Sequence, residues 1–159
     1  MKRNDALRLV AAIVLCELVG AAGSIFTLSS IPTWYATLQK PSFSPPTWLF
    51  GPAWTILYAL MGISLYLVWS NGTKNANAKT AMKIFGIQLF LNFLWSFLFF
   101  GLKSPLYGLI EIILLWISIV VSILKFYKIS KNAAYLLLPY ILWVSFAMLL
   151  NFFVFVLNP

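Results

Sequence analysis

The chain has 159 residues, of which 62% are hydrophobic and 18% aromatic but only 9% charged, far below the roughly 25% of a soluble domain. Three acidic residues, one cysteine and no histidine exclude a metal cluster, a hydrolytic triad and most other enzyme chemistry. The net charge of +8 comes from basic residues standing singly at the ends of apolar runs, which argues against a nucleic-acid surface. The composition predicts a single-domain integral membrane protein surrounded by lipid.

Five apolar runs are long enough to cross about 30 Å of hydrocarbon at about 1.5 Å per helical residue. We therefore predict an all-α membrane protein, a five-transmembrane-helix bundle over residues 1–159 with a structured first connector at 29–45. The predicted spans are about 7–28, 46–69, 81–102, 106–125 and 133–157.

Basic residues are divided unequally between the two ends of the predicted bundle. Only Lys40 and Lys103 lie at the end that holds the first and third connectors. The positive-inside rule therefore predicts a cytoplasmic N-terminus and an outside C-terminus. We expect the membrane to be a bacterial cell membrane. The basic residues at the predicted cytoplasmic end are Lys2, Arg3, Arg8, Lys74, Lys79, Lys83, Lys125, Lys128 and Lys131.

The first apolar run follows "MKR" and contains small residues, as a cleaved signal peptide would. Glu17 interrupts its apolar core and the apolar character continues to Leu28, so we expect a retained helix. Within it, Cys16, Gly20 and Ser24 recur at a spacing of four residues. Such a stripe permits the close approach of another helix, either in the same chain or in a second copy.

The connector at 29–45 is rich in aromatic residues and prolines. Thr33 is placed to cap a short amphipathic helix, and the "KPSFSPP" stretch then restricts the backbone. We expect Tyr35 and Leu38 to pack with the neighbouring rings against the end of the bundle. The connector then serves either as a lid or as an anchor in the lipid headgroups.

Three prolines shape the second and fifth spans. Pro46 suits a first helical turn, where its missing N–H costs no hydrogen bond. Pro52 and Pro139 lie inside the two runs, where each is expected to bend its helix. Trp54 and Trp143 follow these bends, and we predict that they face each other across one cavity. Each would offer an apolar ring face and one N–H donor.

Polar and aromatic side chains recur at three- and four-residue steps on four of the runs, so that each set shares one helix face. Each set alone is compatible with ordinary interhelical packing, but the four together favour a shared interior pocket. The sets are Trp54 and Tyr58; Gln88, Asn92, Trp95, Ser96 and Phe99; Glu111, Ser118 and Ser122; and Tyr140, Trp143, Ala147 and Asn151.

Two carboxyl groups, Glu17 and Glu111, fall inside apolar runs without an intramembrane basic residue to pair with. They could form a proton relay. A neutral, hydrogen-bonded carboxylic acid is the more economical state for a lone buried acid. We therefore expect both acids to be structural, with the relay as the alternative.

Three stretches carry a more specific signal. "WYATLQKPSFSPPTWLFGPAWTILYALMG", "LNFLWSFLFFG" and "PYILWVSFAMLLN" closely resemble, in order and spacing, the tryptophan-rich sensory protein / translocator protein family. This family is also called TspO/MBR or the peripheral benzodiazepine receptors. The resemblance covers nearly the whole chain, from "CELVG" to the end of the fifth span.

The resemblance implies a five-helix bundle, often a homodimer, with a pocket beneath the first connector. Its members bind tetrapyrroles such as protoporphyrin IX and haem, and some bind sterols or benzodiazepine- and isoquinoline-carboxamide-type ligands. Some bacterial members degrade protoporphyrin in light, which makes Trp54 and Trp143 the catalytic candidates here. We expect porphyrin as a ligand, no tightly bound cofactor and no metal. The expected ligand site is Tyr35, Leu38, Trp54, Tyr58, Asn92, Trp95, Trp143, Ala147 and Leu150.

The sterol-recognition pattern of the animal members is incomplete in this chain. That pattern needs an aromatic residue followed by Lys or Arg on the fifth helix, and no basic residue follows Lys131. A receptor for a flat, weakly acidic porphyrin is therefore the leading hypothesis, with Lys40 near the cavity mouth to steer an anion. Light-driven porphyrin oxidation is the enzymatic alternative. Transport is disfavoured because the chain shows no inverted repeat.

Overall fold

The computed structural model describes residues 3–71 and 76–159, which form six α-helices. Turns of π-helix at Ile31–Tyr35 and Phe97–Gly101 extend the first and third helices, and a 3₁₀ turn at Thr47–Leu49 precedes the second. The helices are α1 (Arg3–Ser30), α2 (Phe50–Ser70), α3 (Ala76–Ser96), α4 (Pro105–Tyr127), α5 (Lys131–Leu136) and α6 (Leu138–Leu157).

These elements form five segments long and apolar enough to cross a membrane, which confirms the predicted five-helix bundle. The fifth span consists of α5 and α6 together. The first span is longer than predicted, and the third begins earlier, at Ala76. The spans are Asn4–Tyr35, Thr47–Ser70, Ala76–Gly101, Pro105–Tyr127 and Lys131–Leu157.

The five spans close into a ring in the order first, second, fifth, fourth, third. Helix α1 packs against α2 and α3, while α4 packs against α3, α5 and α6, and α2 contacts α5 and α6. Large apolar side chains point outward: Leu18, Ile25 and Leu142 are 62%, 68% and 69% exposed. Such exposure is costly in water but not in hydrocarbon, and the interior combines large apolar side chains such as Phe85 and Phe126 with buried polar ones such as Gln88.

Glycines set the spacing between α1 and α2. A Cβ atom at Gly62 would lie 2.5 Å from Cα of Ile13, so the two backbones are almost in contact there. On the other helix, Gly20 lies directly against the ring of Tyr58. Cys16, one turn before Gly20, is completely buried. At Gly20 the predicted small-residue stripe therefore serves packing within the chain, because the helix that approaches it is α2.

Helix α1 does not end where the sequence predicts a separate capped helix. It continues through a turn of π-helix, and helical backbone extends to Thr37. The hydroxyl of Thr33 donates to the carbonyl of Ser29 at 2.8 Å, back into the same helix. The predicted cap at Thr33 is therefore wrong, because the hydroxyl satisfies a carbonyl in the preceding turn instead of the amides of a new one.

The connector that remains, residues 38–46, is fastened to the C-terminal end of the chain. The amide of Gln39 donates to Oδ1 of Asn158, and Nδ2 of Asn158 donates to the carbonyl of Gln39, both at 2.9 Å. Phe43 packs edge-to-face on Phe153, with 5.4 Å between ring centroids. These contacts give the connector a defined structure without a helix of its own.

The prolines act differently from one another. Pro139 lies in the first turn of α6, just after the break at Leu137 that separates α5 from α6, so the fifth span is interrupted next to the proline that was predicted to bend it. Pro52 lies in the first turn of α2, where its missing N–H breaks no internal bond. The bend predicted at Pro52 is therefore wrong. Pro46 precedes the 3₁₀ turn, and its carbonyl accepts the amide of Leu49 at 3.0 Å.

Candidate functional site: an aromatic cavity

A cavity of about 480 Å³ lies among α1, α2, α3 and α6, in the half of the bundle nearest the connector. This volume is within the range of small-molecule sites, roughly 300–1,000 Å³. Large aromatic side chains dominate its walls. The aromatic lining residues are Tyr35, Trp48, Phe50, Trp54, Tyr58, Trp95, Phe99, Phe100 and Trp143.

Eight of the nine residues predicted for the ligand site line this cavity. The exception is Leu38, which packs instead in the aromatic cluster behind Tyr35. Leu38 is displaced because α1 runs on to Thr37, which leaves Tyr35 as the inward-facing residue of that turn. The eight lining residues are Tyr35, Trp54, Tyr58, Asn92, Trp95, Trp143, Ala147 and Leu150.

Trp54 and Trp143 meet in one wall of the cavity. Their rings are in edge-to-face contact, 6.4 Å apart between centroids and 86° between planes. They therefore touch each other, whereas the sequence predicted that they face each other across the cavity. Within the described part of the chain neither indole N–H has a hydrogen-bond partner. Both are therefore available as donors to a bound molecule.

Trp95 forms a fixed part of the opposite wall. Its indole N–H donates to Oδ1 of Asn151 at 3.2 Å, and Nδ2 of Asn151 donates to the carbonyl of Pro105 at 2.8 Å. Its ring also stacks on Phe99, with 5.2 Å between centroids. Because its only donor is occupied, Trp95 offers a ligand its ring face alone.

A chain of hydrogen bonds closes the cavity floor, where Tyr58 and Asn92 line the cavity and Tyr140 and Gln88 are buried behind them. The hydroxyl of Tyr58 donates to Oδ1 of Asn92, and Nδ2 of Asn92 donates to the hydroxyl of Tyr140 at 3.0 Å. Tyr140 in turn donates to Oε1 of Gln88 at 2.9 Å. All four side chains are buried. Asn92 therefore holds α2, α3 and α6 in register, and it keeps one amide N–H and one acceptor site on Oδ1 for a ligand.

Replacing Tyr140 by phenylalanine should lower the free energy of unfolding by about 1–3 kcal/mol, because it leaves buried polar atoms of Asn92 and Gln88 without partners. Tyr135→Phe is the matched control, since Tyr135 lies in the same span but is 54% exposed. Reversible unfolding in mixed micelles measures both variants. Equal stability of the two would contradict the role assigned to the floor.

The fourth span contributes nothing to the cavity lining, contrary to the sequence prediction. Ser118 and Ser122 donate to carbonyls of their own helix. Glu111 is buried, and neither of its carboxyl oxygens has a hydrogen-bond partner among the residues the structure describes. The predicted hydrogen-bonded state of Glu111 is therefore wrong, because no donor of a neighbouring described residue reaches it.

The first span takes the place predicted for the fourth. Glu17, Gly20 and Ser24 line the cavity, although none of them is among the residues predicted for the ligand site. Their spacing of three and four residues puts them on one helix face. That periodicity, together with a carboxyl group on the same face, is the signal that could have identified them.

One basic residue stands at the connector end of the cavity. Nζ of Lys40 donates to the carbonyl of Leu38 at 2.8 Å and lies 4.9 Å from the ring centroid of Tyr35. Tyr35 itself lines the cavity. The ammonium group is therefore close enough to the mouth to attract an anionic ligand.

Comparison with known proteins agrees with this architecture. Residues 12–157 match the model of the TspO/MBR family. The chain is 53% identical to Tryptophan-rich protein TspO of Archaeoglobus fulgidus over 152 residues, which are 96% of this chain and 97% of the relative. It is 50% identical to Tryptophan-rich protein TspO of Chlorobaculum tepidum over 153 residues, 96% and 97% of the two chains. Translocator protein of Homo sapiens is 37% identical over 131 residues, 82% and 78% of the two chains.

Proposed function

Because the chain belongs to the TspO/MBR family of membrane proteins, we propose that it is a membrane receptor for a flat, largely apolar tetrapyrrole. Protoporphyrin IX and haem are the expected ligands, and benzodiazepine- or isoquinoline-carboxamide-type molecules are expected to fit the same site. The observation that carries this proposal is the aromatic cavity with two unengaged indole N–H groups in one wall.

The chemistry of the walls supports a flat ligand. Trp95 and Phe99 present a stacked pair of rings on α3, while Trp54 and Trp143 present an edge-to-face pair from α2 and α6. A planar conjugated molecule between them would gain stacking contacts on both faces in addition to its apolar burial. The free indole N–H groups would then donate to its carbonyl or carboxylate oxygens.

We further propose that the N-terminus lies in the cytoplasm and that the protein works as a homodimer, as the family resemblance implies. Five spans place the N-terminus and the second and fourth connectors at one end of the bundle. That end carries Arg8, Lys79, Lys83, Lys125, Lys128 and Lys131, against Lys40 and Lys103 at the other. Lys2, Lys74 and the side chain of Arg3, which were counted in the same prediction, lie outside the described residues.

Titration with protoporphyrin IX tests the receptor proposal. Saturable quenching of tryptophan fluorescence is expected, and Trp143→Phe should raise the dissociation constant by about two- to tenfold because one donor is lost. Trp69→Phe is the matched control, since Trp69 packs beside Arg8 and does not line the cavity. A titration that does not saturate, or an identical loss in the two variants, would refute the proposal.

The contact between Trp54 and Trp143 favours light-dependent porphyrin degradation as a second function. Dioxygen would be the oxidant. A bound porphyrin excited by light would take one electron from an indole in the cavity wall and pass it to dioxygen. The two rings in contact could share the indole radical cation, which then oxidises the porphyrin. The side chains involved need no metal, histidine or cysteine, which suits a chain with so few ionisable groups.

A further inference from the structure

Among the side chains that line the cavity, Glu17 carries the only carboxyl group, and none carries a basic group. It is half-buried, and it makes no hydrogen bond or ion pair with any residue in the described ranges 3–71 and 76–159. Glu17 therefore lies in the cavity wall with a carboxyl group that has no partner in the described part of the protein, and the hydrogen-bonded state predicted for it is wrong. A ligand that fills the cavity and displaces water has to be compatible with this group.

Glu17 marks the deep end of the cavity. Gly20, one turn further along α1, lies against the ring of Tyr58, whose hydroxyl belongs to the cavity floor. Ile31, at the other end of the lining, is fourteen residues away, which is about 21 Å along a helix. Lys40 stands beyond Ile31, next to Tyr35. The cavity thus has an acidic deep end and a basic outer end.

This polarity discriminates between the edges of a porphyrin. A carboxylate at the connector end meets Lys40 and the water outside. A carboxylate at the deep end would be buried beside Glu17, with no basic side chain among the lining residues. Like charges in a site of low dielectric repel strongly, and a buried carboxylate without a partner is costly in any case. Only an apolar edge is tolerated there.

We propose that Glu17 determines ligand specificity, by requiring the apolar edge of a porphyrin at the deep end and its carboxylates at the connector end. The site then accepts porphyrins with carboxylates on one edge and rejects those with carboxylates on both. This inference rests on the proposed tetrapyrrole-binding function and extends it to a class of ligand and an orientation.

The test compares protoporphyrin IX, which has two propionates on one edge, with coproporphyrin III, which has four distributed over both edges. The quantity measured is the dissociation constant of coproporphyrin divided by that of protoporphyrin. The two porphyrins partition unequally into detergent, but this partition is the same for every variant and cancels when the ratios of two variants are compared. Wild type should favour protoporphyrin, and Glu17→Gln should reduce the ratio by about tenfold through improved coproporphyrin binding.

Glu111→Gln is the matched control, because it makes the same chemical change at an acid that does not line the cavity. Its ratio should equal that of wild type. Lys40→Gln should weaken the binding of both porphyrins by a similar factor. Retained protoporphyrin binding shows that the Glu17→Gln protein is folded.

An unchanged ratio in Glu17→Gln, with both porphyrins still bound saturably, would overturn the assignment of Glu17 and leave the receptor function intact. The same reduction in Glu111→Gln would also overturn it, since the effect would not come from the cavity. Failure of wild type to bind either porphyrin would overturn the receptor function, and the role of Glu17 with it.

Discussion

Replacing Gly62 by alanine should lower the free energy of unfolding by about 3 kcal/mol or more. The added Cβ would lie 2.5 Å from Cα and 2.8 Å from the amide nitrogen of Ile13. These are backbone atoms, so no side-chain rotation relieves the overlap and α1 has to move away from α2. The same movement disturbs the cavity wall at Gly20, which packs against Tyr58 of α2.

Reversible unfolding in mixed micelles, followed by helical circular dichroism, measures this effect. Gly86→Ala is the matched control, because a Cβ there has no neighbour within 4 Å. Its stability should be unchanged or raised by at most about 1 kcal/mol, since alanine is the better helix former. If Gly62→Ala is as stable as Gly86→Ala, the two backbones are not in the close contact described here.

Replacing both Trp54 and Trp143 by phenylalanine should abolish specific loss of bound protoporphyrin in light. Phenylalanine keeps an aromatic apolar wall but removes the readily oxidised indoles and their N–H donors. The absorbance of the porphyrin is followed under illumination in oxygen, at protein concentrations that saturate binding in each variant. The rate in the double variant should fall to that of the porphyrin in protein-free micelles.

A second double variant, Trp34→Phe with Trp69→Phe, removes the same number of indoles from positions that do not line the cavity. It should retain the wild-type rate. If wild type itself degrades the porphyrin no faster than protein-free micelles, the protein is a receptor without this activity. Equal rates in the two double variants would exclude a specific role for the Trp54–Trp143 pair.

The sequence by itself determined the class of protein, its five spans and most of the residues predicted to line its cavity. Each of these depends on a local quantity: the length of an apolar run, or the position of Trp54, Asn92 or Trp143 on a helix face. Helical periodicity is reliable within one span, since it follows from 3.6 residues per turn. A disturbance of the fifth span at Pro139 was also predictable from local sequence, because the proline ring and its missing N–H act on their own helix.

Only the tertiary structure decided which helix faces meet. Glu17 and Glu111 look alike as sequence, since each is a lone acid inside an apolar run, yet Glu17 lines the cavity and Glu111 does not. Periodicity places a residue on a face but does not say which neighbour that face packs against. Here that choice depends on how closely α1 and α2 approach at Gly62 and on the order in which five helices close their ring. These are contacts between residues far apart in sequence, and no local pattern records them.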